Sequence, residues 1–292
     1  MLKILSWNIQ YGTGVDGRVD LQRIRDHIVA FGDPDVICLQ EVAVGFEDID
    51  AGADQVAQLT ALFPGYRVTA PPALDWWDGE HCRRFGNAVL TRLPLVDRLV
   101  HVLPRPADAS TCHMQRQLIE VVVATDFGPL RVCTTHLEYY SRIQREAQIQ
   151  RLRELESQWA ATSTAPPKAL RAGIFGPRPV PVGTVLCGDF NLPVEEPTYA
   201  ALQQPLGEGR FIDAWTVVGQ GKPHAPTFRV HDARRGAKGG FACDFFFISA
   251  QFAPRVTGLR TDVETTLSDH QPLLLTLAAE APSPEGENRR GN

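Results

Sequence analysis

Several apolar segments of this sequence end at a residue that can bind a cation or transfer a proton. These strand-end residues are Asn8, Glu41, His136, Asp189 with Asn191, and the pair Asp269 and His270. One such ending carries no information, because every strand must stop somewhere. Five endings with three carboxylates and two histidines among them predict a shared pocket, since ligands bind at the carboxyl ends of strands in α/β proteins.

This combination of side chains suits hydrolysis at phosphorus. Mg²⁺ prefers oxygen ligands and keeps several waters, so one or two carboxylates and a phosphate oxygen can complete its coordination. A bound metal neutralises developing charge and lowers the pKa of water, and histidine transfers protons at neutral pH. The pattern therefore predicts a metal-dependent hydrolase that cleaves a phosphate ester.

The elements that must position these residues are short strands and a few amphipathic helices. The predicted strands are apolar runs bounded by Gly, Pro or polar residues: KILSWNI, DVICLQ, NAVLTR, LIEVVVAT, LRVCTTHL, GTVLCGDF, DFFFIS and PLLLTL. A helix is predicted after Asp20, a potential N-cap, and a second one over residues 145 to 159. The result is a mixed α/β protein with too many strands for a simple parallel sheet.

The composition is that of an ordinary globular protein. The chain has 292 residues, of which 43% are hydrophobic and 22% charged. We predict a single domain over residues 1–278 with a Pro- and Gly-rich surface loop near 160–183, followed by a disordered tail at 279–292. The net charge of −5 excludes a general DNA-coating protein, which needs a broad basic surface.

No apolar run is long enough to span a bilayer, and the N-terminus lacks the pattern of a signal peptide. The six cysteines form no CxxC pair, and four of them lie in or beside apolar runs. We therefore expect a cytoplasmic protein without stable membrane insertion or a structural zinc site. We also expect a monomer.

Eight short segments carry a resemblance to a known family. They are LSWNI (5–9), CLQEV (38–42), GNAVLTR (86–92), THL (135–137), GDFN (188–191), PTF (226–228), CDFFFIS (243–249) and SDHQP (268–272). In this order they resemble the endonuclease/exonuclease/phosphatase superfamily, the relatives of DNase I, abasic-site endonucleases, sphingomyelin phosphodiesterases and inositol polyphosphate 5-phosphatases. Each segment is weak alone, but together they are specific and span almost all of residues 2–276.

The resemblance implies the DNase I-like fold, a four-layer α/β (α+β) sandwich of two mixed β-sheets packed face to face with helices outside. It also implies a magnesium cofactor, for which Mn²⁺ can substitute. Glu41 would be the principal metal ligand, supported by Asn8 and Asp269. The partner would be a phosphate-ester substrate.

The same resemblance implies roles for the remaining strand-end residues. Asp189 and Asn191 would position or deprotonate the attacking water and hold the phosphate. His270 would bind or polarise the scissile phosphate, with Asp244 fixing the orientation of its ring. His136 would face the leaving group. Whether Asp189 or His270 is the general base stays open.

Each assignment has a simpler structural alternative. Asn8 could cap a turn, His136 could be a core histidine bonded to the backbone, and Asp244 could be a charge that protects a strand edge. We interpret Arg145 and Gln148 as an ordinary helix face with a structural role. A non-catalytic relative that only binds a partner is also possible, but it would normally lack a carboxylate or histidine.

The segment Gly12–Gly17 matches the GxGxxG pattern of dinucleotide-binding proteins, with Glu41 in the place of the ribose-binding acid. This alternative is disfavoured because the helix is predicted to begin after Asp20, so its N-terminus would miss the pyrophosphate. It also leaves GDFN and SDH without a role. A serine hydrolase is disfavoured because the sequence has no GxSxG.

The loops between the motifs should select the substrate. Candidate substrate-binding residues are Trp76, Trp77, Arg84, Arg116, Arg234 and Arg235. Gln10 and the Phe241-Ala242 pair differ from abasic-site endonucleases and argue against that activity. The first choice is a phosphodiesterase or nuclease acting on nucleic acid or a nucleotide, and the second is a phospholipid or sugar-phosphate esterase.

Overall fold

The computed structural model describes residues 1–231 and 240–280, and these contain two β-sheets. The first sheet contains β1 (Leu2–Asn8), β2 (Val36–Val44), β3 (Arg67–Thr69), β4 (Pro72–Asp78), β5 (His81–Thr91), β12 (Val256–Thr261) and β13 (Leu273–Leu277). The second contains β6 (Leu95–Val102), β7 (Gln117–Thr125), β8 (Gly128–His136), β9 (Thr184–Asp189), β10 (Phe211–Asp213) and β11 (Asp244–Ser249). All the strands expected from the apolar runs are present.

The helices of the described residues are α1 (Leu21–Phe31), α2 (Glu47–Asp50), α3 (Gln55–Leu62), α4 (Arg142–Thr164), α5 (Pro197–Leu202) and α6 (Ala214–Val218). Short 3₁₀ helices lie at Gln10–Gly12 and Ala250–Arg255. As predicted, Asp20 caps α1: its side chain accepts a hydrogen bond from the Arg23 N–H at 3.1 Å.

The predicted boundary between α4 and the following loop is wrong. Helix α4 continues to Thr164, so the first five residues of the expected loop at 160–183 are helical. Ala160 is buried against the core, and alanine has the highest helix propensity, so the helix continues past Trp159.

The strands alternate buried side chains between two faces, and this alternation produces the layers. Ile4 and Val36 point into the core between the two sheets, while Leu5 and Ile37 pack against α1 and α3. A third apolar cluster fills the space between the second sheet and α4. Helices, sheet, sheet and helix therefore form four layers, which confirms the predicted fold class.

Two β-α-β units bring the ends of their strands to one edge of each sheet. β1 and β2 are parallel neighbours joined through α1, and β8 and β9 are parallel neighbours joined through α4. The other strand pairs are antiparallel, so both sheets are mixed. Asn8 and Glu41 therefore lie at the carboxyl edge of the first sheet, and His136 and Asp189 at that of the second.

Some predictions fall on residues outside the described ranges. These are the proposed phosphate-binding residues Arg234 and Arg235, and most of the predicted tail, from 281 to 292. Within residues 1–231 and 240–280, no helix combines the length and the apolar character needed to cross a bilayer.

Candidate active site

Asn8 joins the two sheets at the centre of the site. It is buried at the end of β1, and its Nδ2 donates hydrogen bonds to Glu41 Oε1 and to Asp189 Oδ2, each at 3.0 Å. Its Oδ1 accepts the backbone N–H of Gln10 at 3.0 Å. Asn8 thus caps the following turn, as the simpler alternative held, and also fixes two carboxylates from different sheets.

Glu41 lies at an irregularity in its strand. The β2–β5 pairing shifts register between Leu39 and Val42, and Glu41 has a φ of 61°, in the left-handed region. A bulge of this kind re-aims a side chain, and strained backbone concentrates at functional sites. Burial raises the pKa of Glu41 even though the Asn8 hydrogen bond lowers it.

Asp269 is the second carboxylate on this side of the site. Burial raises its pKa, although the nearby His270 lowers it. Burial raises the pKa of the Tyr11 hydroxyl, and Glu41 and Asp269 raise it further.

These two carboxylates suit a divalent cation. Neither forms an ion pair with Arg or Lys within residues 1–231 and 240–280, and Asn8 is the one side-chain partner of Glu41 there. Both carboxylates are partly buried, and Asp269 raises the pKa of Glu41, so together they supply hard oxygen ligands with negative charge. Mg²⁺ and other hard cations prefer this chemistry, so the residues fit such an ion.

Asp189 lies between two histidines. Its Oδ2 is 3.5 Å from Nε2 of His136 and 3.5 Å from Nε2 of His270. Its Oδ1 accepts the backbone N–H of Asn191 at 2.9 Å, and the Asn191 side chain donates to the Leu137 carbonyl at 2.9 Å. Burial raises the pKa of Asp189, despite the lowering effect of His270.

His270 pairs with Asp244. The Nδ1 atom of His270 is 2.9 Å from Asp244 Oδ2, and the Phe228 ring packs 4.5 Å from the imidazole centroid. Burial alone would lower the pKa of His270, but the Asp244 and Asp189 carboxylates raise it well above its usual range. The alternative that Asp244 protects a strand edge is wrong, because β11 lies between β10 and β9.

His136 has the opposite electrostatic environment. It is buried, and burial together with the nearby Arg116 lowers its pKa well below the usual range. No backbone partner of its ring occurs among the described residues, so the core-histidine alternative lacks its hydrogen bond. The two imidazoles on either side of Asp189 therefore have opposite environments: that of His136 favours the neutral form and that of His270 favours the protonated form.

A second group could also be considered for a metal. Asp189, Cys243, Asp244 and His270 place their potential ligand atoms within 4.8 Å of one another. However, Asp244 already holds the His270 ring, and burial raises the pKa of the Cys243 thiol well above its usual range. A protonated thiol is a poor ligand and Mg²⁺ prefers oxygen, so Glu41 and Asp269 fit a hard cation better.

Of the predicted substrate-binding residues that the structure describes, Arg116 pairs with Glu138, two residues after His136, and the other three lie on the β4–β5 hairpin. Trp76 and Trp77 are 49% and 59% exposed on the β4–β5 hairpin, where Arg84 pairs with Asp75 at 3.3 Å. Arg116 is buried, and its Nε donates to Glu138 Oε2 at 3.1 Å. Its charge is thus matched within the protein.

The description of Arg145 and Gln148 as an ordinary helix face is wrong. Both are buried, because their side chains reach back to the loop after His136. Arg145 donates to the carbonyls of Glu138 and Tyr139, and the Gln148 amide accepts the Glu138 N–H at 2.9 Å. Their role remains structural: they hold this loop at the edge of the site.

The sequence prediction missed two side chains that contribute to the site. The Thr227 hydroxyl accepts the backbone N–H groups of Cys243 at 3.0 Å and Asp244 at 3.1 Å, which fixes the start of β11. The second is Tyr11, because Glu41 and Asp269 raise the pKa of its hydroxyl. Thr227 belongs to the PTF segment quoted above, so the motif marked its position, whereas Tyr11 had no signal beyond its nearness to Asn8.

The glycine-rich segment Gly12–Gly17 does not begin a helix. α1 starts at Leu21, after its cap Asp20, and Thr13 instead pairs with Val19 in an isolated bridge. The first turn of α1 is instead capped by Asp20, whose side chain accepts the Arg23 N–H and whose own N–H donates to the Gly12 carbonyl at 3.0 Å, so the helix does not begin at the third glycine as a dinucleotide-binding turn requires.

Solved structures with the same fold come from several organisms. An endonuclease/exonuclease/phosphatase from Beutenbergia cavernae is 22% identical, with a TM-score of 0.68 over 94% of this chain and 71% of that one. A mannosyl-6-phosphatase from Bacteroides thetaiotaomicron is 17% identical, with a TM-score of 0.65 over 95% and 100%. D. rerio TDP2 complexed with a single-strand DNA product is 21% identical, with a TM-score of 0.63 over 95% and 98%.

No curated protein matches the sequence. The family model of the endonuclease/exonuclease/phosphatase family matches residues 5–270, which is nearly the whole chain. The members of this family hydrolyse phosphate esters and are generally dependent on divalent metals. The chain belongs to the endonuclease/exonuclease/phosphatase family and is a phosphoester hydrolase.

Proposed function

We propose that the protein is a Mg²⁺-dependent phosphodiesterase that cleaves a P–O bond in a nucleotide or nucleic acid by in-line attack of water. The observation that carries this proposal is the placement of Asp189 between two histidines, with its Oδ2 3.5 Å from Nε2 of each and 3.0 Å from the Asn8 amide. This arrangement places a base, Asp189, next to a cationic side chain, His270. Attack of water on a phosphate requires both groups.

Glu41 and Asp269 would hold the Mg²⁺, and Mn²⁺ could replace it. Asn8 supports the site by fixing Glu41 and Asp189, because its Nδ2 faces both carboxylates. When bound, a divalent cation would neutralise the negative charge that develops on the phosphate.

Asp189 is the better candidate for the general base. Burial raises its pKa toward that of a group that accepts protons near neutral pH, whereas two carboxylates raise the pKa of His270 and favour its protonated form. The His270 imidazolium would bind a phosphate oxygen, with Asp244 holding its ring. His136 would lie on the side of the leaving oxygen, and Asn191 would hold the phosphate.

A sugar-phosphate or phospholipid esterase is the second candidate. The observation that favours a sugar phosphate is a polar cavity beside Asp269, described below, that is lined by hydroxyl and amide side chains. One solved structure with this fold is a mannosyl-6-phosphatase and another is a DNA complex, so the fold accommodates both kinds of substrate.

The experiment that tests the reaction uses bis-p-nitrophenyl phosphate with and without EDTA. Asp189→Asn and His270→Ala should each lower kcat by ~10²–10⁴-fold, because each removes a group needed in the transition state. His81→Ala, which changes an exposed histidine on the β4–β5 hairpin, serves as the matched control. Full activity in either site variant, or in EDTA, would exclude this mechanism.

A further inference from the structure

A polar cavity of about 620 Å³ opens directly beside Asp269. One wall is the glycine-rich segment that resembled a dinucleotide-binding motif, and the other is the segment that precedes residue 232. The cavity is lined by Gln10, Thr13, Gly14, Val15, Asp16, Gly17, Arg229, His231, Ser268 and Asp269. Its volume lies within the range of small-molecule sites, roughly 300–1,000 Å³.

The glycine-rich wall is held in place by its own hydrogen bonds. The Val15 N–H donates to the Thr266 carbonyl at 2.8 Å, two residues before Ser268. Asp16 pairs with Arg23 of α1 at 2.8 Å, and this pairing lowers the pKa of Asp16 to about 2. The wall is thus preorganised, and the charge of Asp16 is already matched.

The opposite wall is connected to the catalytic histidine. Arg229 has a φ of 57°, and its N–H donates to the Asp269 carbonyl at 2.9 Å. Its guanidinium lies 4.6 Å from the centre of the Phe228 ring, which packs on His270. The Nε2 atom of His231 is 2.9 Å from the Val263 carbonyl and donates to it, which orients the ring at the edge of the cavity.

Two side chains of the cavity have unused hydrogen-bonding groups. The Gln10 side-chain amide and the Thr13 hydroxyl form no hydrogen bond with any residue of the described ranges. The hydrogen bonds that these two residues form there involve only their backbone groups. Apart from the two glycines, Val15 is the one apolar residue in the described part of the lining, and no Phe, Tyr or Trp ring contributes to it.

We propose that this cavity binds the sugar ring of the substrate and recognises its free hydroxyl groups through Gln10, Thr13 and Arg229. The inference rests on the proposed function, because it places the sugar beside the carboxylates that would hold the metal. Hydroxyl groups need donors and acceptors of this kind, whereas a base needs an aromatic face and an acyl chain needs an apolar wall. A hexose phosphate and a ribonucleotide share this chemistry, and the experiment separates them.

The experiment compares substrates that differ by one hydroxyl. One pair is glucose 6-phosphate and 2-deoxyglucose 6-phosphate, and the other is a ribonucleotide p-nitrophenyl ester and its 2′-deoxy counterpart. We expect kcat/KM to favour the hydroxylated member of one pair by at least about tenfold, since a buried polar group left unpaired weakens transition-state binding. The pair that shows the preference identifies the sugar: a preference in the ribonucleotide pair supports the phosphodiesterase, and a preference in the glucose 6-phosphate pair, whose members are phosphomonoesters, supports the sugar-phosphate esterase instead.

Two variants test the residues. Thr13→Val and Gln10→Leu should each reduce that preference to within about threefold, by lowering kcat/KM for the hydroxylated member. Thr60→Val, which removes an exposed hydroxyl on α3, is the matched control and should keep the full preference. A purely structural defect would lower kcat/KM for both members equally.

Equal kcat/KM within both pairs, or an unchanged preference in both variants, would overturn the sugar site. The proposed function would still stand in that case if bis-p-nitrophenyl phosphate is hydrolysed with metal and is not hydrolysed by Asp189→Asn. Failure to hydrolyse any phosphate ester would instead overturn the proposed function itself.

Discussion

Glu156 offers a test of the electrostatic reasoning away from the active site. It lies on α4 and is only 2% exposed, and its Oε2 has no hydrogen-bond partner among the described residues. Burial raises the pKa of Glu156 from its ordinary 4.5 to about 8, although Arg131 and Thr184 both lower it. The carboxyl group is therefore neutral in the folded protein at pH 7.

The sign of the effect follows from proton binding. Between pH 4.5 and about 8 the folded protein keeps the Glu156 proton and the unfolded chain has lost it, so the free energy of unfolding falls as the pH rises. The contribution is fully favourable below pH 4.5 and is lost by about pH 8. Each unit of pKa corresponds to about 1.4 kcal/mol, so the whole change is of the order of a few kcal/mol and at most about 5.

The measurement is urea unfolding of the wild type and of Glu156→Gln at pH 5, 6, 7 and 8. Glutamine has nearly the shape of the protonated acid, so the two proteins should have similar stability at pH 5, and the variant should become more stable by a few kcal/mol at pH 8. Glu154→Gln is the control, since that side chain is 42% exposed on the same helix. A difference between wild type and Glu156→Gln that stays constant from pH 5 to 8 would refute the reasoning.

Two further predictions concern the active site and its support. Glu41→Gln should weaken the apparent affinity for Mg²⁺ or Mn²⁺ by at least about tenfold while the unfolding midpoint changes little; an unchanged metal titration of activity would argue against its role as ligand. Glu138→Gln leaves the buried Arg116 without its counter-charge and should lower the free energy of unfolding by about 3–5 kcal/mol, as measured in urea. If Arg116 is instead a substrate contact, Arg116→Met will raise KM at unchanged stability.

The fold could be predicted from the sequence because its strands are short apolar runs that end at distinctive residues. Val36–Val44 and Gly128–His136 each alternate between two buried faces; the second ends at His136, whereas the first continues past Glu41 to Val44 instead of ending there as predicted. The family segments then fixed the order of the site residues along the chain. The local apolar patterns therefore predicted the strands that form the layers, and the order of the motifs predicted the strand-end residues of the site.

Other features depend on contacts that no local pattern records. α4 has many charged residues, and nothing in its spacing shows that Arg145 turns back to the carbonyls of Glu138 and Tyr139. The glycine-rich segment likewise matched a phosphate-binding motif, but its conformation is set by the Thr266 carbonyl, far away in sequence. In both cases the deciding partner is a backbone group of another segment.

The charges of the two histidines follow from the register of the second sheet. His136 pairs with Asp189 across β8 and β9, and Asp189 pairs with Asp244 across β9 and β11, so the three stand in one row. A slip of one residue would turn an entire strand's side chains to the other face and remove a carboxylate from the row. His270 enters from the first sheet, beside β13, and meets both carboxylates of this row, which keeps it protonated. His136, at the other end near Arg116, stays neutral. The difference in charge between the two histidines beside Asp189 is therefore a consequence of strand pairing. A variant that shifts this register should lose activity while the protein remains folded.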